Sequence, residues 1–168
     1  MSMLVWHERS PEEAHHFNPA YCGALIYEFV RSYTKAKGEP PLFALVFCAM
    51  PIALHPDTRD RLPSRTITGL YPWIENNPEA LVGFADRARN LTPFVREAVR
   101  YATAREAIGF EEGGRVVLGD KRASFPASFT AEVTTDIRDT IDGIRKIGRW
   151  FAGAGDTATI LAAWGVRV

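Results

Sequence analysis

Three groups of residues have types and spacings that could do chemistry. His55 and Asp57 flank Pro56, so a carboxylate could orient an imidazole for proton transfer. A hydrolase of that kind also needs a nucleophile, and no serine or cysteine stands in a recognisable setting for one. His15 and His16 are adjacent, with His7 before them and Cys22 after. Metal ligands must converge, whereas neighbouring histidines on a helix or strand point apart, and no HxxxH or CxxC spacing accompanies these. Gly153-Ala154-Gly155-Asp156-Thr157 comes nearest to a phosphate-cradling loop but lacks the lysine and the four-residue gap, so it reads as a helix break followed by a capping aspartate. No catalytic residue, metal ligand or cofactor motif emerges.

Two further groups could bind rather than react. Arg96 and Arg100 lie four apart on a helical stretch, and Arg115 sits in a short β-favouring segment; such residues could grip phosphates. Glu97, Glu106 and Glu111-Glu112 are interleaved with them, and residues 51–110 hold eight basic against seven acidic residues. A solvated face of mixed charge is the stronger reading, with direct DNA contact by Arg96, Arg100 and Arg115 as the alternative. Near the C-terminus, Arg149-Trp150-Phe151, Trp164 and Arg167 combine the residue types that protein interfaces concentrate at their energetic centres. These five are the candidate partner contacts, although Trp150 and Trp164 could equally clamp the last helix onto the core.

The elements that must position these residues are mostly helical. Asn18-Pro19, a cap followed by a proline suited to a first turn, predicts a helix through Ala20, Ala24, Tyr27 and Val30 or Tyr33 to about Lys37, where Gly38 stops it. Leu42 to Leu54 is apolar on all sides, which predicts a helix packed all round, ended by Pro51 or Pro56. Residues 57–65 form a polar connector, and a third helix runs from Ile67 to Asn76, with Pro72 kinking it or delaying its start. Asn77-Pro78 and Thr92-Pro93 repeat the cap-then-proline signal and predict two more helices. The period then changes: Phe110 to Leu118 is two short arms around Gly113-Gly114, as a tight hairpin requires. Beyond a loop at 121–128, Val133, Ile137, Ile141, Ile144, Ile147 or Gly148, and Phe151 trace another helical stripe, with Asp142 and Lys146 four apart on its outer face. Asp156 caps a last short helix, 157–164, closed by Gly165. The expected fold is mainly α with a small β-hairpin: a single domain over 1–168, made of a winged-helix-like core (18–119) and a C-terminal helical extension (129–168).

Composition narrows the function classes. The 168 residues are 46% hydrophobic and 24% charged, enough for a sizeable core and too apolar for a disordered tail. Twenty basic and twenty acidic residues give zero net charge, so no long-range field draws the chain to nucleic acid or to an anionic membrane. The uncharged run 42–54 would span only ~20 Å as a helix, against ~30 Å for a bilayer core. Cys22 and Cys48 sit among apolar neighbours, as buried reduced thiols do, and Met1 to Arg9 lacks a signal-peptide pattern, so a cytoplasmic protein is expected.

In order and spacing, several stretches together resemble one family: Asn18-Pro19-Ala20-Tyr21-Cys22, Leu42 to His55, Trp73-Ile74 with Asn77-Pro78, Gly83-Phe84-Ala85 with Arg87-Ala88, Pro93-Phe94 with Arg96-Glu97-Ala98, Gly148 to Ala152, and Thr159-Ile160 to Arg167. The chain is similar to the middle components of bacterial three-component ABC systems; one departure is Val168 where relatives tend to finish with proline. The resemblance implies a non-enzymatic adaptor without cofactors that docks on a Rad50/SMC-like ABC ATPase and couples it to a third, effector component in defence against phage or mobile DNA. Any DNA association would then be indirect, no membrane is involved, and a homo-oligomer is compatible with the role. The competing reading is a winged-helix DNA-binding protein acting alone.

Overall fold

A computed structural model describes residues 8–167, apart from the side chains of Glu13, His15 and His16. His7 and Val168, which enter the sequence arguments above, lie outside the described residues, as do the side chains of the paired histidines.

The fold is organised around α2 (Pro19–Lys37). Its start and end follow from chemistry legible in the chain. The Asn18 side chain accepts from the amides of Ala20 (2.8 Å) and Tyr21 (3.4 Å), Pro19 occupies the first turn, and Gly38 closes the helix at φ 85°. A short α1 (Pro11–His16) precedes it. Every residue from Leu25 to Val30 is buried, because α2 is flanked on separate faces by α6 (Phe84–Ala104) and α8 (Thr135–Ala152). Both crossings are close. A Cβ at Gly23 would stand 3.3 Å from Ala98 O and Ala102 Cβ on α6. One at Gly148 would stand 2.9 Å from Phe29 O and from Ser32 Cβ on α2.

The all-apolar segment forms α3 (Ala44–Leu54), which packs on α6 and α8 and carries Pro51 inside it. Pro56 opens the four-residue α4 (Pro56–Arg59). Arg59, buried at its end, donates to Ala53 O, Thr140 Oγ1 and Asp136 Oδ1, tying α4 to α8. Burial raises the thiols of Cys22, to about 12, and Cys48, as expected of enclosed cysteines.

One helix start takes the delayed form that Pro72 allows and two differ from expectation, each for a local reason. α5 spans Leu70–Asn76, so Pro72 sits in its first turn and Ile67, expected on the apolar face, is 88% exposed. Asn77 turns its side chain back to Trp73 O (2.8 Å) instead of capping forward, and only a 3-10 turn, Pro78–Leu81, follows it. Pro93 falls inside α6 rather than opening a helix. Its missing amide costs one backbone bond, but Phe84, Ala88, Val95, Val99 and Ala102 stay in phase on one buried stripe across it, and that burial holds the helix together. Thr92 Oγ1 meanwhile donates to Ala88 O at 3.0 Å.

The hairpin is present as β1 (Ile108–Glu111) and β2 (Arg115–Leu118), antiparallel, with Gly113 and Gly114 at φ 79° and 75°. It is docked against the start of α3. Val116 N donates to Pro41 O (2.9 Å) and Phe43 N to Gly114 O (2.8 Å), so residues 41–43 run along the free side of β2. The C-terminal helices are α7 (Ala127–Glu132), α8 and α9 (Thr157–Ala163), the last capped by Asp156 as anticipated. α8, expected in an extension, packs along α2, α3 and α4 and shares their core. On its outer face Asp142 pairs with Arg145 at 3.7 Å, three residues on, in place of the Lys146 expected from the four-residue spacing.

The α2–α8 crossing yields a prediction in which two effects oppose. Gly148→Ala gains up to about 1 kcal/mol of helix propensity. The new methyl meets backbone atoms that cannot move aside, an overpacking cost of about 1–3 kcal/mol. The variant should be net destabilised, measured as a lower midpoint in urea denaturation.

Candidate partner-binding surfaces

Helical phase separates Arg149 from its aromatic neighbours. Ile141, Ile144 and Ile147 face the core, and Trp150 and Phe151 continue that stripe, whereas Arg149 points to solvent. Trp150 is 2% exposed, Phe151 0% and Trp164 1%. The expectation that these three meet a partner is therefore corrected: they fill the interior. Their rings form a chain of contacts from Phe29 to Phe151 (6.3 Å), Phe151 to Trp150 (6.3 Å), Trp150 to Trp73 (5.1 Å), Trp73 to Trp164 (5.9 Å) and Trp164 to Phe84 (4.8 Å). The indole N–H of Trp150 donates to Thr68 O at 2.7 Å, which anchors the exposed 64–69 loop.

The arginines proposed for DNA and for partners divide differently. Arg115 is held inward, donating to Pro40 O at 2.6 Å with Glu39 3.5 Å away, and so fastens the hairpin to the chain before α3. Arg96 and Arg100 are exposed on α6. Arg96 and Arg167, drawn from separate candidate sets, line the same cleft of about 690 Å³ between α3, α6 and the C-terminal segment. Phe43 and Phe47 form its apolar wall with Val166, and Arg89 joins the two arginines on its rim. Arg89 pairs with the exposed Asp86 (2.9 Å), while neither Arg96 nor Arg167 has an ion-pair partner among the described residues.

Arg149 belongs to a second, shallower concavity of about 340 Å³, where it gathers with Arg65 and Lys146 around the exposed Ile67. Sequence spacing does not single out Phe43, Phe47, Arg89 or Arg65, and it marks Lys146 only as a neighbour of Asp142, because each site joins segments far apart in the chain. The uncharged neighbourhood of Phe43 and Phe47 reads in sequence as core.

A family model described as ABC-three component (ABC-3C) system Middle Component 3 matches residues 6–168, nearly the whole chain. The chain belongs to this family. No curated protein and no solved structure matches it.

His55 has structural employment in this middle component 3 chain. His55 is the N-cap of α4: its Nδ1 accepts from Thr58 N (3.3 Å) and lies 2.9 Å from Thr58 Oγ1, which itself accepts from Arg87 (3.2 Å). Burial, and then the charge of Arg87, lower its pKa and keep the ring neutral, as an acceptor must be. Asp57 is exposed beside it, and the Thr58 hydroxyl that His55 meets is buried and accepts from Arg87. Among the described residues no three His, Cys, Asp or Glu side chains gather as a metal site, and no helix is long and apolar enough to cross a membrane.

Two measurements check these assignments. Trp150→Ala should cost about 3–5 kcal/mol in urea denaturation, while Arg149→Ala should stay within about 0.5 kcal/mol; equal losses would contradict the burial described. Because the folded pKa of His55 is depressed, its cap is fully effective above the ordinary value of 6.5 and weakens as pH falls from there through the folded value. His55→Asn, which retains an acceptor that does not titrate, should flatten that part of the melting temperature profile.

Proposed function

We propose that this middle component is a non-enzymatic adaptor that docks on the Rad50/SMC-like ABC ATPase of its system and couples it to the third, effector component, in bacterial defence against phage or mobile DNA. The observation that carries this reading is where the free cations lie. Arg96 and Arg167 on one concave surface, and Arg65 and Arg149 on another, are exposed beside apolar groups, with the half-buried Lys146 next to the second pair, and all five lack ion-pair partners among the described residues. Exposed cations next to apolar surface suit protein docking, in which charge steers encounter and apolar contact supplies affinity. The family match supports membership of a three-component assembly, and zero net charge disfavours a chain that seeks nucleic acid unaided. Of the five contacts expected from sequence, Arg149 and Arg167 remain as direct contacts; Trp150, Phe151 and Trp164 hold them in place from beneath.

Cytoplasmic location follows from this reading, since its ATPase partner works there. The lone DNA-binding reading is weakened by Arg115, whose guanidinium is engaged at Pro40 and Glu39, and by Glu111 and Glu112 at the hairpin tip.

Co-expression with the two components encoded beside it tests the proposal. The chain should co-elute with the ATPase in size-exclusion chromatography, and Arg149→Glu should weaken the complex without lowering the melting temperature. Elution of the chain alone at micromolar concentrations would refute the adaptor role. Duplex binding by the isolated chain at low salt, lost in Arg96→Ala/Arg100→Ala, would support the DNA-binding reading instead.

A further inference from the structure

We infer that the cleft between α3, α6 and residues 165–167 receives an acidic segment of a partner component, with an aliphatic or aromatic side chain seated against Phe43 and Phe47 and carboxylates on Arg89, Arg96 and Arg167. The inference rests on the adaptor reading and adds to it the place and chemistry of one contact.

Charge complementarity identifies the occupant. Arg89 and Arg96 are two helical turns apart on α6, about 10 Å along its axis, and Arg167 approaches from the C-terminal segment across the same opening. Among the described residues only Arg89 has an acid to answer it, Asp86, and that pair is exposed on both sides, where the solvent already screens it. A guanidinium fork matches a carboxylate bidentately, so three of them around one opening favour a segment with several acidic residues.

The floor explains why the occupant is a polypeptide. Phe43 and Phe47, edge-on to each other at 4.9 Å, wall a socket for a side chain and do not form an open platform for a stacked base, and Phe110 packs edge-on against Phe43 at 5.2 Å. Val166 and the small residues of α6 complete an apolar lining of a size that holds a few side chains and no duplex. Phe110, 47% exposed at the rim, extends the apolar surface beyond the cleft along β1. An anionic rim contact with a buried apolar anchor is how acidic linear segments bind helical proteins.

The test uses the assembled three-component complex, and co-elution is read first. If the chain does not join the complex, the adaptor reading and this inference fall together. If it joins, Ala85, an exposed residue of the cleft, is replaced by photoreactive p-benzoylphenylalanine, and the crosslinked peptide is identified by mass spectrometry. A crosslink to an acidic stretch of the ATPase or the effector is expected. In parallel, Arg96→Glu/Arg167→Glu should weaken complex formation about tenfold or more at low salt, with the loss shrinking as salt rises. Its melting temperature should be unchanged, and Lys121→Glu, on an exposed loop, should leave affinity within about twofold. A crosslink to a second copy of this chain, to nucleic acid or to a neutral or basic segment would overturn the inference while leaving the adaptor reading intact. So would an intact complex that gives no crosslink, or a double reversal that leaves affinity unchanged.

Discussion

A carboxylate with no solvent exposure persists in a protein interior only when cations and amides replace the water it has lost, and Glu28, at the middle of α2, is 0% exposed. Desolvation alone would raise its pKa. The hydrogen bond and charge of Arg145 on α8, the amide of Phe125 and the charge of Arg31 outweigh it and hold the carboxyl below its usual range. These partners come from three separate parts of the chain, so satisfying Glu28 fixes how α8 slides along α2 and where the loop before α7 lies. That register brings Gly148 against the α2 backbone and turns Trp150 and Phe151 inward, leaving Arg149 outside.

The outward arginines depend in turn on the buried rings. Trp164 follows α9 directly, and its contacts with Phe84 at the start of α6 and Trp73 on α5 pin the last residues of the chain beside α6. Val166 N then donates to Leu161 O at 2.9 Å, and Arg167 emerges next to Arg96. A buried tryptophan thus decides where the exposed Arg167 stands, so its loss would be felt at the surface through displacement as well as through instability.

Much of the architecture was legible because it is written in local chemistry. Asn18-Pro19 and Gly38 bound α2, Gly113-Gly114 marks the hairpin, Asp156 marks α9, and the isoleucine spacing traces α8. Pro78 and Pro93 misled because a cap-then-proline pair states only that a helix can begin there. Whether it does depends on where Asn77 finds its acceptor and on whether an apolar stripe runs through the proline, and both are tertiary facts. Trp150, Phe151 and Trp164 misled because a core and an interface draw on the same residue types; the phase of Trp150 with Ile144 and Ile147 was the signal that favoured burial. The cleft could not be read at all, since residues 43–47, 85–96 and 165–167 meet only once α2 has organised the helices around itself.

The strip at residues 41–43 also settles how the small sheet behaves toward other chains. With β2 occupied on both sides, only the outer margin of β1 offers unpaired backbone groups, four residues long and ending in Glu111 beside Glu112. So short a margin, with carboxylates at its end, is a poor template for another strand. This protein can therefore display Phe110 without zipping its small sheet onto that of another copy.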